Sequence, residues 1–289
     1  MPKSKNGNKV IANTNHVDLE ATIKILSQVN LDGASSVGVG FVTAQSFKDY
    51  FDFVCSLKTP DEVRTGLYYG FQPLYDSLIK GGLNDAQRQN ALTALEAITK
   101  VSRDYLTGYY FGEPNVKSAI EQVKGLKNNF TELKSAEYHK KFRNIDYNHI
   151  YPRDILLFFT KILQHFIAGD YAPPKFILGC ACGSSEIVLP LSKILDTNEG
   201  FVRRSYRRGD DQPRLVREHE KYLRDNIKDK SVLCVEDYVC SGESLRQVML
   251  KAKEFGAKDV HGSSINNSHE ADVLNLKESK RKFNYFSFY

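Results

Sequence analysis

Apolar positions in the first half of the chain recur at three- and four-residue steps. Val17, Leu19, Ile23 and Leu26 form one stripe, and Ala91, Leu92, Leu95, Ile98 and Val101 form a second. Ile155, Leu156, Phe158, Phe159, Ile162, Leu163, Phe166 and Ile167 form a third. One side of a helix repeats at that interval, so each stripe predicts an amphipathic helix with its apolar side on a core. Helix starts are readable at Thr59-Pro60-Asp61-Glu62 and at Asn84-Asp85, where a capping side chain precedes early acids; Gly81-Gly82 and Gly125 predict stops or bends. Ser36–Val42 reads as a short strand, and residues 1–15, rich in Lys and Asn, read as a disordered leader.

After Gly169 the pattern changes. Pro173-Pro174 breaks the chain, and short runs of β-branched and apolar residues then alternate with helical stretches. Strands are expected near Phe176–Cys180, Phe201–Arg203, Val232–Glu236, Val260–Ile265 and Phe283–Phe288. Helices are expected near Ser185–Leu195, Glu243–Phe255 and Glu270–Leu276, with a shorter one at Val216–Tyr222. Alternation at this spacing implies an α/β fold in which a parallel sheet is flanked by helices. The division is therefore a mainly α-helical N-terminal domain over residues 1–150 and a sheet domain over residues 151–289. Ligands of such sheets bind at the carboxyl ends of the strands, which points to the loops after Cys180 and Glu236.

Composition narrows the function classes. The chain has 289 residues, 41% of them hydrophobic and 26% charged, which suffices for one large core or two modest ones and excludes disorder as the main state. The formal charge of +5 is shared about evenly between the halves, so a nucleic-acid partner is not indicated. Tyr and Phe are dense at Tyr68–Phe71 and Tyr105–Phe111, but no basic patch is interleaved, and a core or subunit-interface role is expected for them. No apolar run is long enough to span a membrane, and the polar N-terminus lacks a signal peptide, so a soluble cytoplasmic protein is expected. Five cysteines suit a reducing compartment better than a disulfide scaffold, and the Cys180-x-Cys182 spacing fits neither a zinc knuckle nor a redox pair.

The chemistry concentrates in Val232–Leu245, VLCVEDYVCSGESL. An apolar strand leads to two adjacent acids, Glu236 and Asp237, and then to a small-residue turn, Cys240-Ser241-Gly242-Glu243-Ser244, at the start of a helix. Free amides and the helix dipole at such a start favour a phosphate. Ser241 and Ser244 add hydroxyl donors, and Gly242 allows close approach. Two carboxylates suit the hydroxyls of a sugar or a hydrated magnesium ion. A phosphate clamp beside a diol clamp describes a phosphorylated ribose.

This segment resembles the phosphoribosyl diphosphate (PRPP) signature of the type I phosphoribosyltransferases at every position of that signature. Phe176–Ser185 resembles the family's first core strand and its pyrophosphate loop, and Phe201–Tyr206 resembles the second strand running into a mobile loop. The resemblance covers about residues 150–289. It implies an Mg2+-dependent enzyme that transfers the 5-phosphoribosyl group of PRPP to a nitrogenous base and releases pyrophosphate. Glu236 and Asp237 would serve the ribose hydroxyls and the metal, and Cys240, Ser241, Gly242, Glu243 and Ser244 would bind the 5′-phosphate. Cys182, Gly183, Ser184, Arg204 and Arg207 would bind pyrophosphate, with Ser205 and Tyr206 in the flexible loop. Such enzymes work mainly by positioning and electrostatics around a cationic transition state.

The chain departs from the purine-salvage members in two places. Cys240 stands where they usually carry an aspartate, and no lysine occurs between Lys258 and Lys277, where they recognise a 6-oxo group. Both departures argue against a 6-oxopurine acceptor. Glu243 within the phosphate turn is unfavourable beside an anion unless its side chain points away. A homodimer is the default expectation. The alternative is a non-catalytic sensor of PRPP or a nucleotide, or an effector whose helical half docks onto a partner protein or nucleoprotein.

Overall fold

The computed structural model describes residues 18–29, 47–80, 82–129, 152–181, 183–204, 212–239, 242–267 and 284–287. The leader 1–15, the strand expected at Ser36–Val42 and the helix expected at Glu270–Leu276 lie outside them.

Six helices come first among the described residues: α1 (Leu19–Leu26), α2 (Phe47–Ser56), α3 (Pro60–Lys80), α4 (Asp85–Phe111), α5 (Val116–Asn129) and α6 (Pro152–Ala168). Their starts follow from local chemistry. Before α3, the Thr59 hydroxyl accepts from the Glu62 amide (3.3 Å) while the Glu62 carboxylate accepts from the Thr59 amide (3.0 Å). Asn84 and Gln87 form the same reciprocal box at α4. The second and third stripes are helical and largely buried, with Ala91, Leu95 and Ile98 in α4 and Ile155, Phe159 and Ile162 in α6 at most 2% exposed, while of the first stripe Leu26 is buried and Leu19 and Ile23 are half-buried in α1. Gly125 does not stop its helix: α5 continues to Asn129. A single glycine costs an exposed helix only about 1 kcal/mol, too little to end one that packs on its neighbours.

The second half alternates as expected: β1 (Phe176–Ala181), α7 (Ser185–Ile194), β2 (Asn198–Arg203), α8 (Arg217–Ile227), β3 (Ser231–Val239), α9 (Glu243–Glu254), β4 (Asp259–Asn267) and β5 (Asn284–Ser287). The strands form a five-stranded sheet in the order β2-β1-β3-β4-β5, and every pairing is parallel. The order reverses direction between β1 and β3, so a crevice opens there at the carboxyl ends.

Alternate strand residues feed two cores. Ile177, Ala181, Phe201, Leu233, Val235 and Ile265 join a large cluster with residues of α1 to α7. Phe176, Leu178, Cys180, Val202, Val232, Cys234 and Val260 point the other way and pack under α8 and α9. The helical first half thus shares one continuous core with one face of the sheet. Tyr105, Tyr109, Tyr110 and Phe111 are buried in it, as their density in the sequence suggested. No helix among the described residues is long and apolar enough to cross a membrane.

Candidate ligand site at the carboxyl edge of the sheet

The register places the predicted acids at the switch point. Gly179 of β1 lies opposite Val235 of β3, so Cys180 and Ala181 run level with Glu236 and Asp237. Strand alternation then sends Glu236 to the side of Cys180 and α9, and Asp237 to the side of Ala181 and the first-half helices. Gly183, just beyond β1, lies against the Asp237 carboxylate so closely that a Cβ there would collide with it. Two segments far apart in sequence, the end of β1 and the acidic pair, therefore meet.

Glu236 is only 8% exposed, and its Oε2 is buried without a hydrogen-bond partner. Burial first, and then the neighbouring charge of Asp237, push its carboxyl well above the usual carboxylate range. Burial, followed by the Glu236 charge, likewise pushes up the Cys180 thiol, which donates to the Arg204 carbonyl at 3.7 Å. Two repelling carboxylates with an orphaned oxygen are suited to a cation or to donor hydroxyls, since either would relieve the desolvation and the repulsion. Among the described residues no group of three or more His, Cys, Asp or Glu could hold a metal ion. Two carboxylates nevertheless fit Mg2+, which commonly takes one or two protein carboxylates and completes its shell with water and substrate phosphates. Glu236 and Asp237 are the residues that would hold it.

Gly242 caps α9 at φ +74°, the left-handed region that a side chain would strain, and no side chain among the described residues caps the helix start. The Glu243 carboxylate is paired with cations, its Oε1 lying 3.7 Å from the Arg204 Nη1. Arg246 holds the same carboxylate with two bonds (2.6 and 2.8 Å) and Gln247 with a third (2.8 Å), and these bonds keep its pKa below the usual range. Ser244 is half-buried in the same turn.

Other predicted residues are placed differently from each other. Arg204 is buried, and its Nη1 donates to the Glu243 carbonyl (2.6 Å), so its guanidinium lies at the start of α9 with Nε unpartnered. Its charge there is also paired with the Glu243 carboxylate at 3.7 Å. Both the amide and the hydroxyl of Ser184 donate to the Cys180 carbonyl (3.2 and 2.9 Å), which directs them inward. Cys182, Ser205, Tyr206, Arg207, Cys240 and Ser241 lie outside the described residues.

Sequence reasoning gave no role to Arg203 and passed over Asp76 altogether. The Arg203 Nε donates to Asp76 of α3 (2.7 Å), and its Nη1 donates to the carbonyls of Ala181 (3.1 Å) and Arg204 (3.4 Å). Nothing in the sequence links Asp76 to residues more than a hundred positions later. The Glu243–Arg246 pair, three residues apart on one helix, was readable in principle.

No protein-family model matches the chain, and no curated protein matches it. Solved structures do. A purine phosphoribosyltransferase from Pyrococcus horikoshii is 19% identical, the match covering 46% of this chain and 79% of that one, with a TM-score of 0.29. A phosphoribosyltransferase from Corynebacterium diphtheriae is 16% identical over 46% of this chain and 73% of that one, with a TM-score of 0.33. An orotate phosphoribosyltransferase from Aeropyrum pernix is 16% identical over 48% of this chain and 77% of that one, also with a TM-score of 0.33.

Proposed function

We propose that this chain binds PRPP at the carboxyl edge of β1 and β3 and transfers its 5-phosphoribosyl group to a nitrogenous base. The observation that carries this reading is the meeting of three features: a buried acidic pair, Glu236–Asp237, with an orphaned carboxylate oxygen; the close approach of Gly183; and the start of α9, uncapped by any described side chain, behind a left-handed glycine. The acids would accept hydrogen bonds from the ribose hydroxyls. The turn Cys240, Ser241, Gly242, Glu243 and Ser244 would take the 5′-phosphate, and Arg204 would add its charge at that end.

In the reaction the base nitrogen forms a bond to the anomeric carbon while the bond from that carbon to pyrophosphate breaks, and pyrophosphate leaves with the electron pair. Positive charge grows on the sugar meanwhile, so the carboxylates of Glu236 and Asp237 stabilise the transition state more than the ground state. Mg2+, held with Glu236 and Asp237, would neutralise charge on the leaving group. Cys182, Gly183 and Arg207, with the loop residues Ser205 and Tyr206, would face pyrophosphate.

The test is pyrophosphate release from PRPP and Mg2+ across a panel of bases. Release with at least one base is expected, and Asp237→Asn should lower it by about a hundredfold or more. A second reading, a PRPP sensor, draws support from the core shared by the helical half and the sheet, which gives occupancy a path to another surface. Thermal stabilisation by PRPP with no release for any base would favour the sensor. No stabilisation and no release would sink both.

A further inference from the structure

We propose that Asp76 of α3 is a positioning residue for this site: it holds the Arg203 guanidinium across Ala181, beside Asp237, so that the helical half of the chain completes the site. The proposal rests on the functional reading above for its ligand, but its geometry stands apart from that reading.

Arg203 pairs with Ala181 across β2 and β1. β1 pairs with β3 as far as Gly179 opposite Val235, and continuing that register carries Ala181 towards Asp237. All three lie on the sheet face that the first-half helices cover, as the burial of Phe201, Ala181 and Val235 in that core shows. Strands are about 4.8 Å apart, so a side chain from β2 reaches towards β3 only if the residue between them is small. Ala181 is small, and the Arg203 Nη1 donates to its carbonyl.

A long arginine is mobile unless something grips it. Here the grip comes from α3. Asp76 and Arg203 are 6% and 7% exposed at their side chains, and they form a 2.7 Å ion pair. The neighbouring Tyr75 hydroxyl donates to the Phe201 carbonyl at 2.6 Å, and Phe71 stacks edge-on against Phe201, so α3 pins the end of β2 at three points. Through Arg203, Asp76 also sets the carbonyls of Ala181, at the end of β1 beside the acidic strand, and of Arg204, just past the end of β2. The pair thus fixes the geometry of the strand ends. That function is not available to the sheet without α3.

The experiment uses the full chain with Asp76→Asn, Asp76→Glu and the double variant Asp76→Leu/Arg203→Met, which removes both buried charges and so preserves the fold if Asp76→Asn alone does not fold. PRPP binding with Mg2+ is measured by calorimetry, and amide exchange is measured without ligand. Asp76→Asn should weaken PRPP about tenfold or more, the double variant should do the same, and Asp76→Glu should restore most of the affinity. Exchange should accelerate at residues 178–181, 201–204 and 235–237 and stay unchanged in α5 and α9. Unchanged PRPP affinity in Asp76→Asn or the double variant overturns the proposal, as does exchange that accelerates uniformly or not at all. A wild type that ignores PRPP removes the functional reading, and the exchange pattern then decides the positioning role by itself: localised acceleration, reversed by Asp76→Glu, supports it.

Discussion

The two faces of the sheet are held by different chemistry. Under α8 and α9 the contacts are apolar: Leu178, Cys180 and Cys234 meet Leu245, Val248, Met249 and Ala252. Under the first-half helices the apolar core is threaded by buried charge. Arg64 of α3 donates to Glu186 in the first turn of α7 (2.6 Å) and to Asp61 (2.8 Å), Tyr110 of α4 donates to the same Glu186, and Asp76 grips Arg203. Apolar packing is tolerant of small shifts, whereas a buried ion pair fixes distance and direction, because either charge alone is costly. The charged face is the one that holds the strand end at Arg203 and the first turn of α7, both beside the acids. Both acids meet at the strand end between the two faces, close enough for Asp237 to act on Glu236.

Three measurements can break or sharpen that contrast. The largest effect is expected for Arg64→Met, which leaves Glu186 and Asp61 without the guanidinium and should cost about 3–5 kcal/mol in denaturant unfolding. A loss no greater than that of a surface substitution would show the charged network to be inert. On the apolar face, Leu245→Ala should cost about 2–3 kcal/mol, at the low end for such a truncation because the flexible Met249 beside it can fill part of the space. A loss exceeding that of Arg64→Met would reverse the ranking of the faces.

The smallest effect links the two sides at their edge. Arg88 of α4 makes two bonds to Glu218 of α8 (2.7 and 2.6 Å), and these hold the Glu218 carboxyl down at about 2. A depressed carboxylate stabilises the fold above its unfolded pKa, and that contribution fades as pH falls from about 4.5 through about 2. For a partly exposed pair it amounts to about 1 kcal/mol or less. Glu218→Gln should therefore lower stability at neutral pH by about 1 kcal/mol or less and remove the matching part of the acid-limb slope, so that the two proteins converge in acid. An identical slope in both proteins would show that the pair contributes nothing.

Legibility differed with the range of the interaction. The strands at Phe176–Ala181 and Ser231–Val239 and the helix at Glu243–Glu254 match the expected segments to within a few residues, because apolar runs and turn residues act locally. The box at Thr59 and Glu62 was visible for the same reason. Gly125 misled because packing outweighs a weak local preference. Within the site, Glu236, Asp237 and Gly242 stand where a strand, an acidic pair and a helix start had to place them. The partners of Ser184 and Arg204, the carbonyls of Cys180 and Glu243, were not readable in the sequence, since a hydroxyl or a guanidinium turns to a carbonyl that only the fold brings near.

The order of amino acids by itself determined that a parallel sheet follows a set of helices, that two acids follow an apolar run of strand, and that a glycine opens the next helix. Only the tertiary structure decided that Gly183 lies against Asp237, that Glu243 is held by Arg246, and that Asp76 reaches Arg203 across 127 positions of chain. The physical reason is range. Periodicity and capping act over a few residues, whereas a buried charge can persist only beside its opposite, and which segments supply the two becomes definite when the core closes around them.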